Sequence, residues 1–136
     1  MSGPSEVEEK EVSVVDDDFY VRESIYYLLV SAGFKVRTFN RPEDFLAHAG
    51  THHVPVAVLD IWMDRMNGLE VFAHLCAISP KTRVIVVTAR EDIAARTTAM
   101  AIGPVAYFKK PFDGEKLISA VHDAFSQSAR GGRSKS

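Results

Sequence analysis

The sequence predicts a single α/β domain: a flavodoxin-like, doubly wound (βα)5 fold with a parallel five-stranded sheet and helices on both faces. Apolar runs alternate with amphipathic segments five times along the 136 residues, with short loops between them. Val56–Leu59 is apolar throughout, which is typical of a parallel strand buried on both faces. Such an alternation favours right-handed crossovers, and the strand order 2-1-3-4-5 is the natural expectation.

The first half of the chain contains three predicted strands and two predicted helices. Apolar residues recur at helical spacing in the first helix (Val21, Ile25, Leu28 and Leu29), and Gly33 is a good stop. We expect Asn40 to cap the second helix, which carries Pro42 in its first turn and ends at Gly50. The first helix is predicted to span Phe19–Ala32, and the predicted strands of this half are Val12–Val15, Phe34–Phe39 and Val54–Leu59.

The second half continues the same alternation. A loop over Met63–Gly68 precedes the third helix, which Pro80 terminates. Gly103 followed by Pro104 ends the fourth helix, and a fifth helix starts near Asp113. The predicted helices are Leu69–Ile78 and Asp92–Ile102, and the predicted strands are Arg83–Val87 and Val105–Phe108.

Charge and composition limit the classes of function. The net charge is −2, which argues against nucleic-acid binding by the chain itself, and the single cysteine suits a reducing compartment. No apolar run is long enough to span a bilayer and no signal peptide is evident, so we expect a cytoplasmic protein without membrane contact. We predict a flexible acidic N-terminus (1–10), one domain (11–127) and a flexible basic tail or start of a linker (128–136).

Polar side chains end four of the predicted strands. Asp16 and Asp17 follow the first strand, Asp60 ends the third, Thr88 ends the fourth and Lys110 closely follows the fifth. The carboxyl ends of parallel strands share one edge of such a sheet, so these groups are expected to form one site.

The three acids at this edge predict a metal site. Two carboxylates ~4 Å apart repel by about 1 kcal/mol in water and about 4 kcal/mol at an effective dielectric near 20, and a divalent cation relieves that repulsion. The ligands are hard oxygens, which favours Mg2+. A lysine and a hydroxyl beside Mg2+ suit phosphate chemistry, in which a carboxylate can itself be the phosphoryl acceptor.

With these motifs in place, the chain resembles the receiver domains of two-component response regulators over roughly residues 11–127. The residues that carry the resemblance are Val14–Asp18, Leu59–Met63, Met66–Gly68, Val87–Ala89 and Lys109–Phe112. Two further segments, Val21–Ser24 and Ser31–Phe34, are most similar to receivers that precede a helix-turn-helix output domain.

The resemblance implies a phosphoacceptor switch rather than an enzyme. It implies phosphorylation of Asp60 by a partner sensor histidine kinase. Asp17, Asp60 and the backbone carbonyl of Trp62 would bind Mg2+ directly, and Asp16 would bind it through water.

The remaining matched positions would respond to the phosphoryl group. Thr88 and Lys110 would bind it, and Thr88 and Tyr107 would form the switch. The fourth helix, fifth strand and fifth helix would signal to an output domain or downstream protein, with a homodimer on phosphorylation as a further expectation. The resemblance also implies a cis peptide before Pro111.

Several positions depart from the family pattern. Asp64 stands where proline is usual, and Pro104 replaces a usual alanine. Trp62 and Arg90 follow Asp60 and Thr88 by two residues each. The resemblance implies that these positions flank the path of the water that hydrolyses the phosphoryl group, which their bulk would shield. We therefore expect slow self-dephosphorylation, with Trp62 and Arg90 as modulators of the hydrolysis rate.

Other interpretations stay open at this stage. The acids Asp16 and Asp17 are also suited to capping the first helix, and Thr88 to capping the fourth. Tyr107 is also suited to ordinary packing at the sheet edge. A Mg2+-dependent aspartyl phosphatase is the alternative function, and a flavodoxin-like redox carrier is disfavoured because the first loop is acidic. We expect no metal site at His48, His52 and His53, which straddle Gly50 and so should not share a helix face.

Overall fold

The computed structural model describes residues 10–63 and 67–130, which form one five-stranded parallel sheet in the order β2-β1-β3-β4-β5. This confirms the predicted fold class and strand order. The strands are β1 (Glu11–Val15), β2 (Lys35–Phe39), β3 (Val56–Asp60), β4 (Arg83–Thr88) and β5 (Ala106–Lys109). The helices are α1 (Phe19–Ser31), α2 (Pro42–Thr51), α3 (Gly68–Ile78), α4 (Ile93–Ile102) and α5 (Gly114–Arg130).

The strand register aligns the polar strand ends. Val15 of β1 pairs with Leu59 of β3, so residue 16 stands level with Asp60. Asp60 pairs with Val87 of β4 in turn. Thr88 pairs with Lys109 of β5, so Lys110 lies just beyond this pair. The register therefore brings the carboxyl ends of four strands to one edge of the sheet.

Two apolar clusters cover the two faces of the sheet. One cluster packs α1 and α5 against Val12 and Val14, and the other packs α2, α3 and α4 against Val15 and Leu59. Val14 and Val15 are adjacent and enter opposite clusters, because successive side chains of a strand point to opposite faces. Every residue of β3 is buried, as expected for a central parallel strand. None of the helices in the described residues is long and apolar enough to cross a bilayer.

The predicted start and end of the second helix were wrong. Arg41, not Asn40, is the N-cap residue of α2, and its side chain makes no capping hydrogen bond. The helix also continues through Gly50, which does not adopt the positive φ of Gly33 and Gly103, and it ends at Thr51. Tertiary packing of the preceding turn outweighs the weak helix propensity of one glycine.

The continuation of α2 past Gly50 brings two of the histidines together. His48 lies in the last turn of α2, and His52 is the C-cap residue that follows the helix. Their rings stack at a centroid separation of 4.4 Å, a contact that the sequence did not predict.

Aspartates other than the site acids cap the helices beside the site. The carboxylate of Asp18 accepts hydrogen bonds from the backbone N–H groups of Tyr20 and Val21 and so caps α1. Asp92 caps α4 by accepting from the backbone N–H of Ala95. The N-cap residues of α1 and α4 are therefore Asp18 and Asp92, not Asp16, Asp17 or Thr88.

The chain ends and one loop of interest fall at the limits of the described residues. Helix α5 continues to Arg130, three residues past the predicted domain end at 127. Asp64, at which the sequence departs from the family pattern, lies outside the described residues, as do 1–9 and 131–136. The division into tails and domain stays a prediction.

Candidate functional site

Three carboxylates converge at the edge of the sheet where β1 and β3 end. Asp16, Asp17 and Asp60 each place one carboxylate oxygen within 4.8 Å of the others. Asp16 and Asp60 are buried, whereas Asp17 is half-buried. In residues 10–63 and 67–130, no other group of three His, Cys, Asp or Glu side chains lies close enough to share an ion. The predicted acid cluster therefore forms.

Lys110 links two of these acids. Its Nζ lies 3.0 Å from Oδ2 of Asp16 and 3.7 Å from Oδ2 of Asp60. The backbone N–H of Lys110 donates to the carbonyl of Thr88, which ties the loop after β5 to the end of β4. The peptide bond between Lys110 and Pro111 is cis, as the resemblance implied.

The acids at this site repel one another. Burial, followed by the charge of Asp16, raises the pKa of Asp60 from 3.8 to about 7, although Lys110 and the backbone N–H of Trp62 act in the opposite direction. Burial and the repulsion by Asp16 therefore outweigh the attraction of Lys110 for the Asp60 carboxylate. The donor set consists of hard oxygens, so a divalent cation such as Mg2+ fits it.

The hydroxyl of Thr88 is engaged away from the acids. It donates to the backbone carbonyl of Arg90 at 3.1 Å and accepts from the backbone N–H of the same residue at 3.2 Å. The side chain is fully buried. Thr88 thus stands at the predicted place in the fold, and both hydrogen bonds that its hydroxyl makes among the described residues are to Arg90.

Trp62 and Arg90 lie together next to Asp60. The backbone N–H of Trp62 donates to Oδ1 of Asp60 at 3.1 Å. The guanidinium carbon of Arg90 lies 4.0 Å from the centroid of the Trp62 ring, in a cation–π contact. The indole Nε1 is buried and has no hydrogen-bond partner in the described part of the chain. The sequence placed each residue near the site but did not predict that they touch.

Tyr107 lies on β5, away from the acids. Its ring is half-buried against the cluster that includes α4, and the guanidinium carbon of Arg96 lies 4.8 Å from its centroid. Burial raises the pKa of Tyr107, and Arg96 partly opposes that shift. The residue therefore contacts α4 directly.

Two features of the site were missed by reasoning from the sequence. Nη1 of Arg22 in α1 donates to the backbone carbonyl of Asp16 at 2.8 Å. Gly68 packs so closely against the end of β3 that a Cβ there would overlap the backbone of Asp60 and Ile61. Both residues fall in segments that carry the family resemblance, but spacing alone assigned no role to either.

A family model for the response regulator receiver domain matches residues 12–122. The chain belongs to this family. Among curated relatives, it is 35% identical over 122 residues to the transcriptional regulatory protein FixJ of Azorhizobium caulinodans, covering 90% of this chain and 58% of that protein. It is 34% identical over 113 residues to FixJ of Rhizobium meliloti, covering 83% of this chain and 55% of that protein. The receiver thus spans just over half the length of these relatives.

Solved structures with significant sequence identity share the fold. The crystal structure of FixJ-N superposes with a TM-score of 0.80 at 32% identity, covering 87% of this chain and 94% of that one. A response regulator from Burkholderia pseudomallei, solved with a phosphorylated aspartic acid, a calcium ion and citrate, gives a TM-score of 0.77 at 25% identity. That match covers 92% of this chain and 74% of the other.

Proposed function

We propose that this receiver accepts a phosphoryl group on Asp60 from the phosphohistidine of a partner sensor kinase, in a Mg2+-dependent reaction. The observation that carries the proposal is the convergence of Asp16, Asp17 and Asp60 within 4.8 Å, with Lys110 bridging two of them. Asp17, Asp60 and the backbone carbonyl of Trp62 would hold Mg2+ directly, and Asp16 would hold it through water. When bound, the ion supplies positive charge that neutralises the carboxylates and the phosphoryl oxygens.

Asp60 and Lys110 have different roles in the proposed phosphoryl transfer. An ionised Oδ of Asp60 attacks phosphorus, forming an O–P bond as the P–N bond of the donor breaks. A donor ring that carries a proton on its other nitrogen leaves as neutral imidazole, so the step needs no further proton. The product is an acyl phosphate. Lys110 Nζ, 3.7 Å from Asp60 Oδ2, is placed to bind a phosphoryl oxygen and offset its charge.

The switch would begin at Thr88. Its hydroxyl would exchange its bonds to the Arg90 backbone for a charge-assisted bond to a phosphoryl oxygen. Movement of β4 and its loop would then change the surroundings of Tyr107, which packs beside α4. The contact between the ring of Tyr107 on β5 and the guanidinium of Arg96 on α4 supports this coupling.

The signalling surface would comprise α4, β5 and α5. Ile93 is 84% exposed and Met100 is 49% exposed on α4, a presentation of apolar side chains that suits contact with another protein. The curated relatives are transcriptional regulators of which this chain spans just over half. We therefore propose an output domain, a downstream protein or a second copy of the receiver as the recipient, in the cytoplasm.

The alternative of an aspartyl phosphatase is not supported by the structure. That interpretation needs Asp16 and Asp18 to act as a pair of acids in one site. Asp18 is instead exposed, and its carboxylate is occupied in capping α1. A stoichiometric phosphoacceptor without turnover of small phosphate esters is the better description.

Phosphorylation by acetyl phosphate in the presence of Mg2+ tests the proposal. Intact-mass measurement should show one added phosphate on the wild type and none on Asp60→Asn. Asp18→Asn is a matched control, because asparagine preserves the cap, and it should label like the wild type. Labelling of Asp60→Asn to the wild-type extent, or no labelling of the wild type, would show that Asp60 is not the acceptor.

A further inference from the structure

We propose that Arg22 is a positioning residue for the Mg2+ site, because it fixes the peptide that joins Asp16 to Asp17. This inference rests on the proposed function and deepens it. Arg22 is the fourth residue of α1, and its Nη1 donates to the backbone carbonyl of Asp16 at 2.8 Å. The guanidinium also lies 5.7 Å from the centroid of Phe19, one turn earlier, so the side chain has two contacts that orient it.

The carbonyl of Asp16 is the last polar group of that residue that needs a partner. Its backbone N–H donates to the carbonyl of Phe39, its Oδ1 accepts from the backbone N–H of Asp18, and its Oδ2 accepts from Lys110. The residue is fully buried and follows the last residue of β1, so the carbonyl lies beyond the strand ladder. A buried carbonyl without a donor is costly, and Arg22 satisfies it.

Fixing this carbonyl also fixes the start of the next residue. The peptide group is planar, so the carbonyl oxygen of Asp16 and the N–H of Asp17 rotate as one unit. Asp17 is only half-buried, and its oxygen must lie within a few ångströms of the other two acids to share an ion. Arg22 therefore holds the peptide from which the most exposed acid of the cluster extends.

Charge and positioning predict opposite effects of removing Arg22. Its guanidinium is a positive charge close to the acids, and on charge alone its loss should tighten Mg2+ binding. If Arg22 positions Asp17, its loss should weaken binding despite the removed repulsion. The sign of the change in Kd therefore separates the two roles.

The experiment is a Mg2+ titration followed by the fluorescence of Trp62, the single tryptophan, whose backbone N–H donates to Asp60 Oδ1. Calorimetry of the same samples checks the Kd values. Arg22→Met should raise the Kd about threefold to tenfold, and Arg22→Lys, which keeps the charge but not the planar fork, should also raise it. Arg37→Met is the matched control, because Arg37 pairs with Glu11 at the opposite end of β1, and its Kd should equal the wild-type value.

The outcomes distinguish this inference from the proposed function. An unchanged or lower Kd in Arg22→Met overturns the positioning role. In that case, a loss of urea stability alone would make Arg22 a structural partner of the carbonyl. A wild-type protein that binds no Mg2+ would instead refute the metal site of the proposed function.

Discussion

The substitution Asp60→Asn should stabilise the metal-free receiver, because it removes a buried and repelled charge. The pKa of Asp60 rises from 3.8 to about 7 on folding, chiefly through burial and then through the charge of Asp16. Each pKa unit corresponds to about 1.36 kcal/mol, so the ionised carboxylate costs at most about 4 kcal/mol near pH 7. We expect the amide variant to recover about 1–4 kcal/mol of unfolding free energy there.

The sign of the pH dependence follows from the same shift. The folded state holds the Asp60 proton more tightly than the unfolded state, so this group lowers stability as pH rises from about 4 to about 7. The advantage of Asp60→Asn should therefore be full above pH 7 and absent near pH 4. Urea denaturation in EDTA at both pH values measures it, and Asp18→Asn, an exposed cap residue, serves as the control.

Added Mg2+ provides the second arm of this test. The ion should stabilise the wild type and have a much smaller effect on Asp60→Asn, since binding to the folded state adds a stability that grows with the logarithm of the affinity. The reasoning would be refuted if Asp60→Asn in EDTA at pH 7.5 were no more stable than the wild type. An equal gain at pH 4 would likewise show that ionisation is not its source.

Three further predictions concern hydrolysis, packing and pH. Replacing Trp62 by Ala should shorten the half-life of phospho-Asp60 at least about threefold, because the stacked indole and guanidinium are expected to shield the phosphoryl group from water. An unchanged half-life would show that this shielding is absent. Replacing Gly68 by Ala should lower the free energy of unfolding, measured by urea denaturation, by about 1–3 kcal/mol, because the new Cβ overlaps backbone atoms. The control Gly50→Ala, whose Cβ meets nothing within 4 Å, should raise it by about 0.5–1 kcal/mol. Burial lowers the pKa of His48, so the free energy of unfolding should fall as pH drops below about 6.5. A His48→Gln variant that loses as much stability as the wild type over that range would contradict the role of His48.

The fold was predictable because its signals are local and redundant. A strand such as β3, apolar and buried at every position until its terminal acid, admits few other structures. The order of the strands then placed Asp16 beside Asp60 without any knowledge of side-chain conformation. The ends of α2 were mispredicted, because Gly50 is a stop signal only where the backbone needs a positive φ.

The contacts of individual side chains in the site could not be predicted from the sequence. Trp62 and Arg90 lie on different loops, and their stacking depends on the rotamers that both adopt. Arg22 reaches Asp16 across the first turn of α1, and nothing in the spacing distinguishes that contact from a solvated arginine. Patterns of residue type thus located the site, whereas the contacts within it required the packed structure.

The two hydrogen bonds between Thr88 and the Arg90 backbone have a consequence for basal signalling. Each such bond contributes about 0.5–1.5 kcal/mol, so together they favour the resting arrangement by about 1–3 kcal/mol. If the proposed switch had no other bias, a difference of this size would leave roughly 1–15% of molecules in the switched arrangement without any phosphate. In the proposed switch, the main chain of Arg90 would therefore contribute to this resting bias, whatever its side chain does at Trp62.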